Sequence, residues 1–407
     1  MDYDRYSAEE VRQFVEEDDV KFIRLAYCDI FGHQKNISLM PSQLEHAFQD
    51  GIAIDASAID GFDRDVHSDL FLFPDPSTLM LFPWRPEHGR VVRMFCQIRK
   101  PDGTIFEHDT RSLLIKAVED ARAAGLEFFV GSEKEFYLFR LDENGEPTHI
   151  PIDQATYMDI APADRGVNIR REICLTLEEM GISPTGSHHE SGPGQNEVDF
   201  NFDEALTAAD NSIAFTTAVQ AVASQNGLYA DFSPKPLSDA DGSSFHINLS
   251  VRSDDGKDNL MPMTAGILDH ILEMTAFLNP TEASYHRLGH RKAPKYISWD
   301  RQNRSQLIRV PATLNDKYRR IELRSPDNGA NPYLAMALLI YAGMDGIKRG
   351  LALPDPIETN LFTAEPEVLD QLQTLPASRS EATGIARNSA FIQEHLPASL
   401  IKKFCRR

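Results

Sequence analysis

The stretch EFFVGSEKEFYLFR, residues 127–140, carries two glutamates spaced two residues apart at its centre, with apolar runs on both sides. Side chains two residues apart point to the same side of a β-strand, so Glu133 and Glu135 are predicted to project their carboxylates from one face. An antiparallel sheet with one face exposed to solvent would show a similar stripe, that is, a row of polar residues on one side of the strand. The stretch predicts a strand, and it leaves open whether the polar face meets solvent or a site.

Other segments carry comparable stripes, again with polar groups on one face and apolar groups on the other. They are SSFHINLSV (243–251) with His246, Asn248 and Ser250, RRIELRSPD (319–327) with Arg320, Glu322 and Arg324, and SHHESGPGQNEVDF (187–200) with Glu190 and Glu197. Solvent-facing strands usually scatter Lys, Thr, Ser and Gln, whereas these segments concentrate Glu, His and Arg. We therefore expect the stripes to converge on one site.

Converging carboxylates require cations beside them, because like charges raise each other's pKa. Several carboxylates with one imidazole suit Mg²⁺ or Mn²⁺ better than Zn²⁺. Arginines in the same and neighbouring segments offer planar forks for phosphate or carboxylate oxygens; they are Arg287, Arg304, Arg309, Arg320 and Arg324. Divalent metal beside guanidinium groups indicates phosphoryl transfer, although the sequence has no GxxxxGK[ST] loop.

The composition limits the partners of the protein. The chain has 407 residues and a formal net charge of -21, which argues against nucleic acid and anionic membranes as partners. The apolar run LAMALLIYAGM (334–344) is too short to span a bilayer. The N-terminus has no basic start followed by an apolar run, and the four cysteines lie far apart, so we expect a cytoplasmic protein with reduced thiols.

The predicted secondary structure changes near residue 109. Short strand-like runs precede it, and long helical patterns follow, with helices predicted near 110–125, 168–181, 206–225, 262–278 and 331–349. The pattern predicts an α+β protein with a small N-terminal domain at residues 1–105 and a catalytic domain at 106–407.

The order and spacing of these motifs resemble the class I glutamine synthetases over nearly the whole chain. The resemblance is carried by DASAIDGF, GSEKEFYLF, ATYMDIAPAD, SHHESGPGQNEVDF, KPLSDADGSSFHINLS, NPTEASYHRL, NRSQLIRVP, RRIELRSPD and NGANPYLAMALLIYAGMDGI. It implies an N-terminal β-grasp domain and a catalytic domain with a curved antiparallel sheet, open as a funnel and flanked by helices. It also implies a homo-oligomer, a dodecamer with shared sites, that joins glutamate to ammonia or a small amine and converts ATP to ADP.

The resemblance also implies a role for individual residues. One metal is assigned to Glu135, Glu190 and Glu197, and the other to Glu133, His246 and Glu322. The transferring phosphoryl group is assigned to Arg304, Arg309 and Arg324, and the nucleotide to His189, Asn248, Ser250, Lys317 and Arg320. Glutamate is assigned to Arg287 and the loop at Asp241 and Gly242, and the ammonium pocket to Tyr157, Glu190 and Asp55 of a neighbouring copy.

The chain departs from the family pattern in the basic loop HRLGHRKAP, residues 286–294. Lys292 stands where the family carries a glutamate that closes over the ammonium pocket, and Asp241 and Ser244 replace an asparagine and a glycine. Their opposite charges suggest a salt bridge between Lys292 and Asp241. Three interpretations remain open: a ligase for an acceptor amine that is neutral or carries a carboxylate, ordinary glutamine synthesis, and a non-catalytic nucleotide-binding regulator or oligomer partner.

Overall fold

The N-terminal part of the chain forms a mixed sheet with two helices. The computed structural model describes residues 6–62, 68–85 and 88–406, so the first five residues, part of the N-terminus used for the cytoplasmic prediction, lie outside it. The described strands are β1 (Val20–Cys28), β2 (Gln34–Leu39), β3 (Ile52–Asp55), β4 (Asp69–Pro74), β5 (Met80–Leu81) and β6 (Arg90–Arg99). They pair in the order β2-β1-β6-β4-β3, with β5 also on β6 and only β1 and β6 parallel among these pairs. The helices are α1 (Ala8–Glu17) and α2 (Leu44–Gln49).

The C-terminal part of the chain is built on a ten-stranded sheet within the described residues. Its strands are β7 (Leu126–Leu141), β8 (Pro147–Pro151), β9 (Pro184–His189), β10 (Gln195–Phe200), β11 (Asp203–Glu204), β12 (Leu228–Asp231), β13 (Phe245–Ser253), β14 (Trp299–Arg301), β15 (Ile308–Val310) and β16 (Ile321–Leu323). The main order is β14-β15-β16-β13-β7-β10-β9, and β8, β11 and β12 pair with β7. The sheet is antiparallel, as predicted, except for the parallel pair β14 and β15.

Helices cover the sheet and close the core. They are α3 (Thr110–Ala123), α4 (Val167–Glu179), α5 (Ala205–Gln225), α6 (Leu260–Leu278), α7 (Glu282–Arg287), α8 (Pro332–Arg349), α9 (Pro366–Leu369), α10 (Arg379–Asn388), α11 (Ala390–His395) and α12 (Ala398–Phe404). The five helices predicted from periodicity are present to within about two residues. Gly266 and Gly346 let α6 and α8 approach closely, because a Cβ on either would collide with the other helix.

Two general predictions can be compared with this fold. The four cysteines are free, as expected for reduced thiols. Among the residues that the structure describes, no helix has the length and apolar character needed to cross a membrane. The domain boundary near residue 105 stays a prediction: β6 ends at Arg99, Arg99 forms an isolated bridge with Ile105, and α3 begins at Thr110.

Candidate active site

Strand register brings the acidic stripes together at the centre of the large sheet. Glu133 on β7 lies between His246 on β13 and Asp199 on β10. The next residue on the same face of β7, Glu135, lies opposite Glu197. Because every second residue of each strand shares a face, these pairings place the polar groups on one surface.

Glu133, His246 and Glu322 form the first cluster. One ligand atom from each lies within 4.8 Å of the others. His246 Nδ1 is 3.4 Å from a Glu133 oxygen and 3.7 Å from a Glu322 oxygen. Asn248 donates to the other Glu133 oxygen at 2.8 Å, which fixes the carboxylate. The sequence predicted this trio, and the structure brings it together.

The second cluster differs from the predicted one. His188, Glu190 and Glu197 come within 4.8 Å of one another, as do Glu133, Glu197 and Asp199. Among the described residues, Glu135 belongs to neither group. Its carboxylate instead accepts hydrogen bonds from the Ser244 N–H at 2.8 Å and from Gln195 at 3.2 Å.

Sequence reasoning missed His188 and Asp199, although a signal for both was present. His188 lies two residues before Glu190, and Asp199 lies two residues after Glu197, so each shares a strand face with a predicted ligand. The assignment of His189 to the nucleotide stays a prediction, but the same rule places this residue on the other face of β9. Its ring points to the opposite side, is fully buried, and bonds to Asp153 at 3.0 Å and to the Glu190 carbonyl at 2.6 Å.

The charge of the cluster is only partly balanced by the protein. Burial raises the pKa of Glu197 well above its usual range, and Glu135 and Asp199 raise it further. Burial and Glu133 raise the pKa of Asp199 to about 6. Burial also raises the pKa of Glu135. One Asp199 oxygen is buried and has no hydrogen-bond partner among the described residues. This unpaired acceptor and the set of carboxylate oxygens around it fit divalent cations such as Mg²⁺ or Mn²⁺.

Arginines surround Glu322. Arg309 lies 2.6 Å from one carboxylate oxygen and Arg324 lies 2.5 Å from the other. Burial alone would raise the pKa of Glu322, but Arg324, His246 and Arg309 lower it to about 2. The Arg324 Nε is buried without a partner among the described residues, so this side chain retains a donor. The arrangement places guanidinium groups beside the first cluster.

The remaining residues predicted to bind nucleotide line one edge of the site. Arg320 donates to Asn248 at 2.9 Å, and Asn248 in turn holds Glu133. Ser250 is the next residue on that face of β13 and is partly exposed. Arg304 is exposed on the loop that precedes β15, and Lys317 is exposed in a short 3-10 helix, Asp316–Tyr318, that precedes β16.

Arg287, which was predicted to bind the substrate carboxylate, is held tightly by the protein itself. Arg287 is 1% exposed, and its guanidinium donates to the Ser325 carbonyl at 2.7 Å and to Ser244 Oγ at 2.6 Å. Gly242 allows this packing, because a Cβ there would lie 2.8 Å from the Arg287 side chain. Ser244 therefore occupies part of the guanidinium edge that was predicted to bind a substrate carboxylate.

Lys292 makes a different contact from the one hypothesised. Its Nζ lies 3.4 Å from Glu190 Oε2, 2.5 Å from Ser191 Oγ and 4.8 Å from the centre of the Tyr157 ring. Among the described residues, Lys292 has no ion pair with Asp241 within 4.0 Å, so the proposed salt bridge is wrong. The reason is that Glu190 is the nearer carboxylate once the loop is folded.

Asp55 is exposed at the end of β3 in the N-terminal sheet. Its carboxylate accepts hydrogen bonds from the Ser57 N–H at 2.8 Å and from Ser68 Oγ at 2.7 Å. These contacts fix its direction within its own domain. Its predicted role in the site of a neighbouring copy stays a prediction.

Comparisons with known proteins agree with this architecture. A family model described as "Glutamine synthetase, catalytic domain" matches residues 107–407, and one described as "Glutamine synthetase, beta-Grasp domain" matches residues 19–101. A glutamine synthetase from Clostridium saccharobutylicum is 42% identical over 408 residues, covering 96% of this chain and 92% of the relative. One from Methanosarcina mazei is also 42% identical, over 405 residues, covering 95% of this chain and 90% of the relative.

Solved structures match the fold as well. A "GmaS/ADP complex" superposes with a TM-score of 0.87 at 24% identity, covering 97% of this chain and 94% of that one. "Apo GmaS without ligand" gives a TM-score of 0.86 at 25% identity, covering 97% and 94%. With the two matched families, these superpositions confirm the predicted β-grasp domain and sheet-based catalytic domain.

Proposed function

The chain belongs to the glutamine synthetase family, and on that premise we propose that it is an ATP-dependent ligase that joins the γ-carboxylate of glutamate to an amine. ATP transfers its terminal phosphoryl group to the carboxylate, and the amine nitrogen then displaces phosphate from the acyl carbon. A carboxylate is a poor electrophile, and phosphorylation supplies the leaving group that it lacks. The acidic and basic cluster at the centre of the sheet is the observation that carries this proposal.

Two divalent cations fit the cluster. Glu133, His246 and Glu322 would hold one, while Glu190 and Glu197 would hold the other with Glu135, which is buried beside them. When bound, Mg²⁺ or Mn²⁺ supplies positive charge to phosphate and carboxylate oxygens. His188 and Asp199 line the same surface and orient or extend the carboxylate set.

Arg309 and Arg324 would stabilise the phosphoryl group as its charge shifts between oxygens. Both are already held at the cluster by Glu322, so little reorganisation is needed at the moment of transfer. Arg304 on the adjacent exposed loop would join them when substrates bind. A regulator that had lost its chemistry would not need this complete set, which favours the ligase over the non-catalytic alternative.

The acceptor side of the site would be completed by a second copy of the chain that supplies Asp55. The exposed, hydrogen-bonded carboxylate suits such a role, and family membership supports a ring of twelve copies. The same membership supports a cytoplasmic location.

The proposal is tested by Glu133→Gln, because the Glu133 carboxylate lies within 4.8 Å of ligand atoms of His246 and Glu322 and also of Glu197 and Asp199. Phosphate release would be measured with ATP, glutamate, hydroxylamine and Mg²⁺ or Mn²⁺. We expect kcat to fall at least about 100-fold, since removal of a metal ligand exceeds the effect of losing an outer-shell partner. The matched control is Glu127→Gln on the same strand, which pairs with exposed Arg252 outside the cluster.

The control should stay within about twofold of the unaltered protein, as for other surface ion pairs. Hydroxylamine is used because it is small and uncharged at neutral pH, so it does not depend on a particular acceptor pocket. Equal turnover in Glu133→Gln and Glu127→Gln, or turnover that persists in excess chelator, would contradict the proposed function.

A further inference from the structure

The ammonium group of Lys292 lies among Glu190, Ser191 and Tyr157, three residues that can bind a cation and are here called the cation pocket. A carboxylate oxygen of Glu190 lies at 3.4 Å, the Ser191 hydroxyl at 2.5 Å, and the face of the Tyr157 ring at 4.8 Å. A carboxylate, a hydroxyl and an aromatic face together are the groups that bind an alkylammonium ion. Tyr157 also contacts the His188 ring edge-on, so the pocket adjoins the acidic cluster.

The loop after α7 directs Lys292 into this pocket. Arg291 adopts φ of +52°, a left-handed conformation that non-glycine residues seldom take, and its guanidinium donates to the Asp239 carbonyl at 2.5 Å. The Ala293 N–H donates to the His290 carbonyl at 3.1 Å, which closes the turn. The Lys292 stem leaves this fixed turn, and its side chain remains 54% exposed. The ammonium group can therefore swing out without disturbing the core.

We propose, on the basis of the proposed ligase function, that Lys292 determines acceptor specificity: it occupies the cation pocket and selects an amine that carries its own negatively charged group. A free ammonium or alkylammonium ion would have to compete with a cation tethered at high effective concentration. An amine with a carboxylate can instead pair with Lys292 outside the pocket and draw it away. The amine nitrogen then reaches the acyl phosphate.

Cations around the pocket support an anionic acceptor. Lys235 donates to the Ala240 carbonyl at 2.5 Å, and neither Lys235 nor Arg291 has a carboxylate within 4.0 Å among the described residues. His290 adds a third basic group on the exposed turn. Asp239 and Asp241 on the facing loop balance the two formal positive charges of Lys235 and Arg291 when histidine is counted as neutral. The support for an anionic acceptor is therefore that these two cations have no carboxylate within 4.0 Å among the described residues, in a chain whose formal net charge is -21.

The selected reaction balances without a further reactant. The uncharged amine nitrogen forms a bond to the γ-carbonyl carbon of the glutamyl phosphate. The carbon–oxygen bond to phosphate breaks, and phosphate leaves with the electron pair. The proton released from the amine nitrogen goes to the departing phosphate.

The proposal is tested by kcat/KM for a panel of acceptors in the unaltered protein, in Lys292→Met and in Lys295→Met. The panel is ammonium, methylamine, glycine, β-alanine and taurine. For the unaltered protein we expect the anionic amines to exceed ammonium at least about tenfold, and Lys292→Met to reverse this ratio by at least about tenfold. Lys295→Met removes an exposed lysine outside the pocket and should leave the ratio unchanged.

Lys292→Glu should shift the preference further towards ammonium, because it replaces the occupying cation with a second anion. Preference of the unaltered protein for ammonium or methylamine, or the same ranking in all three proteins, would overturn the proposal. Hydroxylamine separates the two hypotheses. If it too gives no product, the proposed ligase function fails, whereas a working hydroxylamine reaction with an unaltered acceptor ranking overturns only the role of Lys292.

A binding measurement gives an independent readout. Methylammonium chloride should raise the Tm of Lys292→Met, whose pocket is vacated, above that in sodium chloride of equal ionic strength. The unaltered protein and Lys295→Met should show no such difference. An equal methylammonium shift in all three proteins would show that Lys292 does not occupy the pocket, and would contradict the proposal.

Discussion

The two ends of the acidic cluster differ in how the negative charge of their carboxylates is balanced. At the Glu322 end, two guanidinium groups and one imidazole contact a carboxylate that is 1% exposed, and its pKa falls to about 2. At the Glu197 end, which comprises Glu197, Asp199 and Glu135, burial and neighbouring carboxylates raise the pKa of the acidic groups. His188 lies 4.0 Å from Glu197 but bonds more closely, at 3.2 Å, to Glu190.

The difference indicates which charges the chain supplies and which must come from outside. At the Glu322 end, the chain's own guanidinium groups pair with the carboxylate before any metal binds, and these arginines are fixed before substrate arrives. At the Glu197 end the chain supplies fewer cations, so an added cation would favour ionisation of all its carboxylates. The same substitution of a carboxylate by an amide should therefore have opposite effects on stability at the two ends.

The largest effect is expected for Glu322→Gln. It leaves the buried guanidinium of Arg324 and that of Arg309, which is 12% exposed, without their carboxylate, so we expect the free energy of unfolding to fall by about 3–5 kcal/mol. Chemical denaturation of the metal-free protein measures this change, with Glu127→Gln as the exposed-pair control. A metal-free Glu322→Gln protein as stable as the control would contradict this expectation, because it would show that the arginines do not depend on Glu322.

A smaller effect, of opposite sign, is expected for Asp199→Asn in the metal-free protein. The folded-state pKa of Asp199 is about 6, above the ordinary 3.8, so the folded state binds the proton more tightly. The contribution of Asp199 to the free energy of unfolding is thus retained at low pH and lost as the pH rises from about 4 through 6. Above that window the variant should be more stable by up to about 3 kcal/mol.

Thermal unfolding at pH 5 and 7.5, with and without Mn²⁺, tests this expectation. The advantage of Asp199→Asn should grow with pH in the absence of metal and disappear or reverse with saturating Mn²⁺, because the cation stabilises the ionised carboxylates. A variant that is less stable than the unaltered protein at pH 7.5 without metal would show that the Glu197 end is not strained by its own charge.

The smallest effect is expected for Arg309→Lys, which tests whether Arg309 needs both of its contacts with Glu322. Arg309 contacts Glu322 through both Nε, at 2.7 Å, and a terminal nitrogen, at 2.6 Å. Lysine keeps the positive charge but cannot make the two-point guanidinium contact with the carboxylate, so the free energy of unfolding should fall by about 1 kcal/mol. In the phosphate-release assay, kcat should fall more than KM rises. A lysine variant with unaltered kcat would assign Arg309 to structure alone.

Much of the site was predictable from alternation along single strands. Glu133, His246 and Glu322 were each identified from a two-residue period, and the structure brings them together. The same period places His188 and Asp199 on this face, but the prediction named only the glutamates and one imidazole. The period also places His189 on the other face, because His188 and Glu190 define the face that meets the cluster.

The contacts of longer side chains could not be predicted in this way. Glu135 shares a strand face with Glu133, yet it turns to the Ser244 N–H, a group 109 residues away in the chain. Lys292 was paired with Asp241 on charge alone, whereas folding places it against Glu190. Long side chains reach several neighbours of similar charge, and only the distances in the folded chain distinguish between them.

The sequence by itself determined the family, the strand faces and the kinds of chemical group at the site, because these follow from residue type and local period. Only the tertiary structure decided how charge is balanced among those groups. Register, loop conformation and burial set which cation lies nearest to each carboxylate, and electrostatic interaction depends on that separation and on the exclusion of water.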